Sequence, residues 1–343
     1  MNERTRRGCP GAPARAGVLL LACLASGAAA PPVARVVDVC EALPGGPPPC
    51  RSFLEGPAVD AAGDVYFSDE PRDRILSVSP ASGRVVERHR PARRANGMTF
   101  DREGRLVVCE GASPGGGRSV ARYERDGTRT VLAHSYRGAP LNSPNDLVID
   151  ARGRVWFTDP RYGGGPPVEQ DAEAVYRIEA PDPPPGEDAN DSVVRVLGRS
   201  DVTRPNGIAL SPDQRTLYVA DTDTGAGGVR RLVAFALDPE DRPGPGRLIH
   251  DFGDGTGADG LRVDVAGYVY AAAGALERGD AAIQVFDPRR PGEPVSTIPV
   301  PETPSNLAFG GPEGRTLYVT ATRSLYRARV PRPGFVVYPR WSE

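Results

Sequence analysis

One polar and apolar pattern recurs along the chain: a small polar residue, then Gly or Asp, an apolar strand, a tight turn and a second apolar strand. It appears as Glu55-Gly56-Pro57-Ala58-Val59-Asp60, Asn96-Gly97-Met98-Thr99-Phe100-Asp101 and Asn145-Asp146-Leu147-Val148-Ile149-Asp150. It returns as Asn206-Gly207-Ile208-Ala209-Leu210, Asp259-Gly260-Leu261-Arg262-Val263-Asp264 and Ser305-Asn306-Leu307-Ala308-Phe309. Four copies join their strands by Asp-x-x-Gly, from Asp60, Asp101, Asp150 and Asp264. Asp bonds its own backbone in such a turn, and Gly takes the positive φ that closes the hairpin. Third and fourth strands follow in most copies, for example Val175-Tyr176-Arg177-Ile178 and Val194-Arg195-Val196-Leu197. Intervals between copies run from 41 residues (Glu55 to Asn96) to 61 (Asn145 to Asn206). A four-stranded blade needs about forty residues, so the pattern predicts an all-β, six-bladed β-propeller. The last copy supplies three strands, and Val33-Ala34-Arg35-Val36-Val37 is a fourth strand without companions. It is expected to complete the last blade and close the ring, giving one propeller domain over residues 31–343.

Composition agrees with many short strands: aromatic residues make up 6%, while Gly (41) and Pro (37) are abundant. The net charge of −2 and the lack of a basic stretch in the mature region argue against a nucleic-acid partner. Residues 1–30 read as a signal peptide. Arg4, Arg6, Arg7 and Arg15 precede the apolar run Ala16 to Ala25, which is too short to span a bilayer, so no transmembrane span is expected. Leu20-Leu21-Ala22-Cys23 also resembles a lipoprotein cleavage box, which would leave Cys23 acylated. The expected location is periplasmic or extracellular, by free secretion or through a lipid anchor. In that oxidising setting Cys40 and Cys50 could pair, while Cys109, in an apolar strand, reads as a buried inert thiol.

In a propeller the first strand of each blade lines the axis, so the starts of the six copies meet at one end of the channel. Those positions hold Glu55, Asn96, Asn145, Asn206, Asp259 and Ser305. Asn or Asp before Gly also makes ordinary turns, but that does not explain six polar positions led by a Glu. Buried carboxylates and amides need a partner, and an all-oxygen set with two carboxylates suits one divalent cation, Ca²⁺ before Mg²⁺, Mn²⁺ or Zn²⁺. Asp69, Glu110, Asp159 and Asp221 return fourteen or fifteen residues later. They are expected to cap loop amides behind the first ring, or to be plain strand-end turn residues.

Leu141-Asn142-Ser143-Pro144-Asn145-Asp146, with Trp156-Phe157-Thr158-Asp159-Pro160 and Tyr162-Gly163, resembles the bacterial gluconolactonase signature. Ala95-Asn96-Gly97, Cys109-Glu110, Pro205-Asn206-Gly207-Ile208-Ala209 and Asp259-Gly260 match the same group, the senescence marker protein, gluconolactonase and luciferin-regenerating enzyme family. The resemblance covers about residues 53 to 325 and implies a propeller with one catalytic divalent cation. It implies Glu55, Asn206 and Asp259 as ligands and Asn145 as a ligand or a holder of substrate and water. Asn96, Asn142 and Tyr162 would wall or back the pocket, with Glu110 and Asp159 behind. Gly111 stands where gluconolactonases commonly carry His, and Ser143 where animal lactonases carry a substrate-binding Arg.

The expected activity is metal-dependent hydrolysis of a lactone, such as gluconolactone, or a related ester. Asp259 takes a proton and Asn145 positions the substrate. Two alternatives use the same site: a phosphotriesterase-like hydrolase, and a non-catalytic ligand-binding propeller with a structural cation. His89, His134 and His250 fall on outer strands or their ends, Gly-x-Ser-x-Gly is absent, and Gly115-Gly116-Gly117 lacks the Lys of a phosphate loop. Asp221-Thr222-Asp223 hints at a Ca²⁺ loop, but its twelfth position is Leu232. The inserts Gly163 to Asp171 and Pro181 to Asp191 are expected to overhang the mouth or to be flexible. A monomer is expected.

Overall fold

The computed structural model describes Met1 and residues 32–43, 50–182 and 189–338. The leader, with its cleavage and acylation signals, lies outside the described residues. Six four-stranded antiparallel sheets run from the axis outward in chain order. They form the expected six-bladed β-propeller. The innermost strands are Leu54–Val59, Ala95–Phe100, Leu147–Ile149, Pro205–Leu210, Ala258–Val263 and Pro304–Gly310. Ala34–Asp38 pairs with Ser324–Arg329 as the outer strand of the last blade, so the ring closes as expected. A Cys40–Cys50 disulfide, with Cα atoms 6.0 Å apart, fastens this closing segment next to the first blade.

The Asp-x-x-Gly turns form as the sequence dictates. Asp60 Oδ1 accepts from the backbone of Ala62 and Asp64, and Gly63 takes φ +87°. Apolar faces pack between blades. Trp156 and Val175 of the third meet Ile208, Leu217 and Val219 of the fourth, all buried. Burying a side chain of this size contributes about 1.5–3 kcal/mol, so the ring is held by its blade-to-blade cores. Cys109 is buried and free, and burial drives its thiol well above the ordinary range, as an inert core thiol requires.

The C-terminal segment does more than end the chain. Arg332 pairs with Asp264, Phe335 donates to the Val263 carbonyl, and the Tyr338 hydroxyl donates to the Ala151 carbonyl. Phe335 to Tyr338 thus cross the end of the channel opposite the anchors and close an apolar space of about 80 Å³. Among the described residues, no helix is long and apolar enough to cross a membrane.

Candidate metal centre and active site

Five of the six innermost strands begin with an irregularity. Glu55 opposes Ser68 but Ala58 opposes Tyr66, one residue extra on the inner strand, and the same shift follows Ala95, Pro205 and Ala258. A bulge of this kind re-aims the residue it carries. The Gly after the anchor permits it. Gly56 sits at φ +50°, and a Cβ there would lie 2.2 Å from the Asn96 carbonyl oxygen. At Gly207 a Cβ would lie 2.2 Å from the Asp259 carbonyl oxygen. In the first, second and fourth blades the anchor therefore rests on the backbone of the next blade's anchor, which presses the polar side chains into one ring. The Asn-Gly and Asp-Gly pairs make this bulge rather than a reverse turn.

The ring floors a cavity of about 410 Å³ whose lining includes Glu55, Asn96, Asn145, Tyr162, Asn206 and Asp259. Six predicted site residues are thus brought together. Glu55 is fully enclosed, and burial, the charge of Asp259 and the charge of Asp146 drive its carboxyl well above the usual range. Burial first, then Asp146, pushes Asp259 up to about 7, against a lowering bond from Asn206. No Arg, Lys or His forms an ion pair with either acid among the described residues. The Oδ1 atoms of Asn96 and Asn206 are buried without a partner. Two unpaired carboxylates and two orphaned amide oxygens are a donor set for a hard cation, and the residues present fit one.

Tyr162 roofs this floor. Its hydroxyl donates to the Thr222 carbonyl at 2.8 Å, and the Arg204 guanidinium lies 5.6 Å from its ring centre. Asn142, Asp159 and Glu110 do not line the cavity. Asp159 accepts from the backbone of Asn142 and Ser143, both at 2.7 Å, and Asn142 Nδ2 donates to the carbonyls of Asp159 and Ala172. Together they fix the loop that delivers Asn145. Asp221 does the same for the backbone of Thr203 and Arg204, ahead of Asn206. Glu110 and Asp69 depart from the expected amide-capping. Glu110 pairs with Arg129 and accepts from Ser119, and Asp69 pairs with Arg74 at 2.7 Å. Each has an Arg on an outer strand of its own blade as its charge partner.

The sequence reading missed three groups. Asn306, not Ser305, faces the ring: its Nδ2 donates to Glu55 Oε2 at 3.1 Å, while the Ser305 hydroxyl donates to the Leu54 carbonyl. Asp146, fully buried, stands below the floor and pairs with Arg262 at 3.3 Å. The repeat itself held the signal for both side chains, since Asp146 and Asn306 stand where the other four copies carry Gly56, Gly97, Gly207 and Gly260. Nothing local marks Arg262, which reads as one exposed position of an alternating strand. His89, His134 and His250 all stay away from the cavity, as expected. Of the two inserts, Gly163 reaches the cavity, but Asp182 pairs with Arg105 and Arg122 beside the Asp101 turn, at the opposite end of the blade from Asn96. Residues 183–188 lie outside the described residues.

The family model described as the SMP-30/gluconolactonase/LRE-like region matches residues 53–323. The chain is 28% identical over 318 residues to a gluconolactonase of Zymomonas mobilis, covering 81% of this chain and 78% of the relative. It is 30% identical to a 6-deoxy-6-sulfogluconolactonase of Pseudomonas putida, covering 76% and 79%. Among solved structures, a gluconolactonase from Xanthomonas campestris superimposes with a TM-score of 0.70 at 29% identity, covering 87% of this chain and 89% of that one. The matched stretch opens just before Glu55 and runs past Asn306, so every inner strand that feeds the floor lies within it: the chain belongs to the SMP-30/gluconolactonase/LRE-like family.

Proposed function

We propose that the chain hydrolyses lactones, sugar lactones first among them, with one divalent cation bound by Glu55, Asn145, Asn206 and Asp259. The observation that carries this reading is the buried ring of two unpaired carboxylates and orphaned amide oxygens at the floor of an open cavity. The Zymomonas and Xanthomonas gluconolactonases support the substrate class. Ca²⁺ is favoured because every donor is an oxygen and two are carboxylates. When bound, the ion supplies a Lewis acid for a carbonyl oxygen and charge for the oxyanion that follows.

The residues of the chain do the rest. Asn145, fixed by a bond from its backbone N–H to the Thr158 carbonyl, orients the lactone. The Asp259 carboxylate takes a proton from water as its oxygen attacks the carbonyl carbon. That proton then passes to the ring oxygen as the acyl C–O bond breaks, giving the open hydroxy acid. Tyr162 limits water above the floor. We read residues 1–30 as a leader that carries this activity out of the cytoplasm, and the Cys40–Cys50 disulfide, which persists in an oxidising compartment, supports that reading. The test is a lactone panel assayed before chelation, after chelation and after Ca²⁺ is restored. Turnover should vanish and return, and Asp259→Asn should lose about 10²-fold or more in kcat. Full turnover in the chelated protein or in that variant would overturn the reading.

A further inference from the structure

The wall of the cavity repeats as its floor does. The residue two places ahead of the anchor lines the cavity in five blades: Phe53, Arg94, Ser143, Gly257 and Thr303. In the remaining blade it is Arg204, whose charge is spent on Glu173 and Asp223. Along an extended chain two residues span about 7 Å, so these side chains stand one storey above the floor. That is where the substituents of a ring held at the floor would reach. Arg94 is the one basic residue among the described lining residues.

Arg94 is held firmly. Its backbone N–H donates to Asp73 Oδ1 at 2.7 Å, its Nε to the Pro114 carbonyl at 2.9 Å and its Nη1 to the carbonyls of Glu70 and Pro71. Carbonyls fix a guanidinium without neutralising it. Glu70, on the same wall, offers its backbone oxygen, and among the described residues it forms no ion pair with Arg94 and no acceptor meets Nη2. The remaining acids of the lining, Glu55 and Asp259, belong to the cation. Hydroxyl-bearing neighbours such as Ser143, Thr222 and Thr303 suffice for neutral sugar oxygens. The Nη2 end of a rigid guanidinium with no ion-pair partner is instead complementary to an anionic oxygen group.

We propose that Arg94 is a specificity-determining residue that receives an anionic substituent (carboxylate, phosphate or sulfonate) carried by the lactone away from its reacting carbonyl. The proposal rests on the lactonase reading for the word lactone, but its test does not need turnover. Calorimetry on the Ca²⁺-loaded protein compares D-gluconate with 6-phosphogluconate. The native protein should bind 6-phosphogluconate about 10-fold more tightly, the worth of one charge-assisted contact. Arg94→Met should bring the two within about 2-fold, and Arg94→Lys should keep part of the preference, which separates lost charge from lost folding. Any removal of Ca²⁺ by the probes themselves is common to all three proteins. Equal affinities in the native protein, no measurable binding of 6-phosphogluconate, or a preference that survives Arg94→Met would each overturn the proposal. A preference that depends on Arg94 in a protein that opens no lactone would sink the lactonase reading alone.

Discussion

At Asp259 burial and the charge of Asp146 push the carboxyl up to about 7, and Glu55 moves the same way. In the unfolded chain both acids ionise near pH 4. Between there and about pH 7 the unfolded state has lost protons that the folded, cation-free state keeps. Stability therefore falls with rising pH across that window through Asp259, and the raised Glu55 carboxyl adds to the fall in the same direction. The melting temperature of the chelated protein should be higher at pH 5 than at pH 8, and the rise produced by Ca²⁺ should be larger at pH 8, because the ion needs the ionised forms. A cation-free protein that melts higher at pH 8 contradicts this. Glu110 gives a contrasting test. Its charge partner is Arg129, and it lies outside the cavity. Arg129→Met should cost about 2–3 kcal/mol of stability, measured by urea unfolding, and leave KM for gluconolactone unchanged. At this scale the anchors were legible because six copies could be laid over one another. Glu110 looked equivalent to Asp159 by spacing, and only its neighbour Arg129, nineteen residues on, sets it apart.

The inner strand with its opening bulge is the element that makes the site. Sequence showed the strand, the Asp-x-x-Gly turn and the following Gly, but two meanings of Asn-Gly compete, and only the pairing register decides for the bulge. Gly207→Ala tests that decision. The added methyl would sit 2.2 Å from the Asp259 carbonyl oxygen, a backbone atom that cannot swing aside. It should lower the melting temperature and weaken Ca²⁺ binding by about 10-fold or more, because it displaces a ligand rather than removing one. Unaltered Ca²⁺ affinity would mean that the blades do not position one another's donors. The last blade shows where repeat reasoning slips. Its bulge keeps the step of the others, with Pro304 opposite Ala321 and Leu307 opposite Val319, but Asn306 fills the position that holds Gly in four blades and so brings a side chain to Glu55.

Across the whole molecule, ring closure was legible because one strand lacked companions and one blade lacked a strand. The seal at the lower end was not. Phe335 to Tyr338 carry no repeat, and their role follows from contacts with the third and fifth blades. Ending the chain at Pro331 should lower the melting temperature by about 5 °C and raise binding of an apolar dye, while Ca²⁺ affinity stays within about 2-fold. A truncated protein that melts like the full chain would show the segment to be an ornament. The central claim is that separate blades deliver their oxygens to one point. Anomalous diffraction from crystals soaked in Mn²⁺ measures this most directly. The account predicts one strong peak within about 2.6 Å of oxygens from Glu55, Asn145, Asn206 and Asp259. No peak at the cavity floor, or a peak held by other residues, would contradict it.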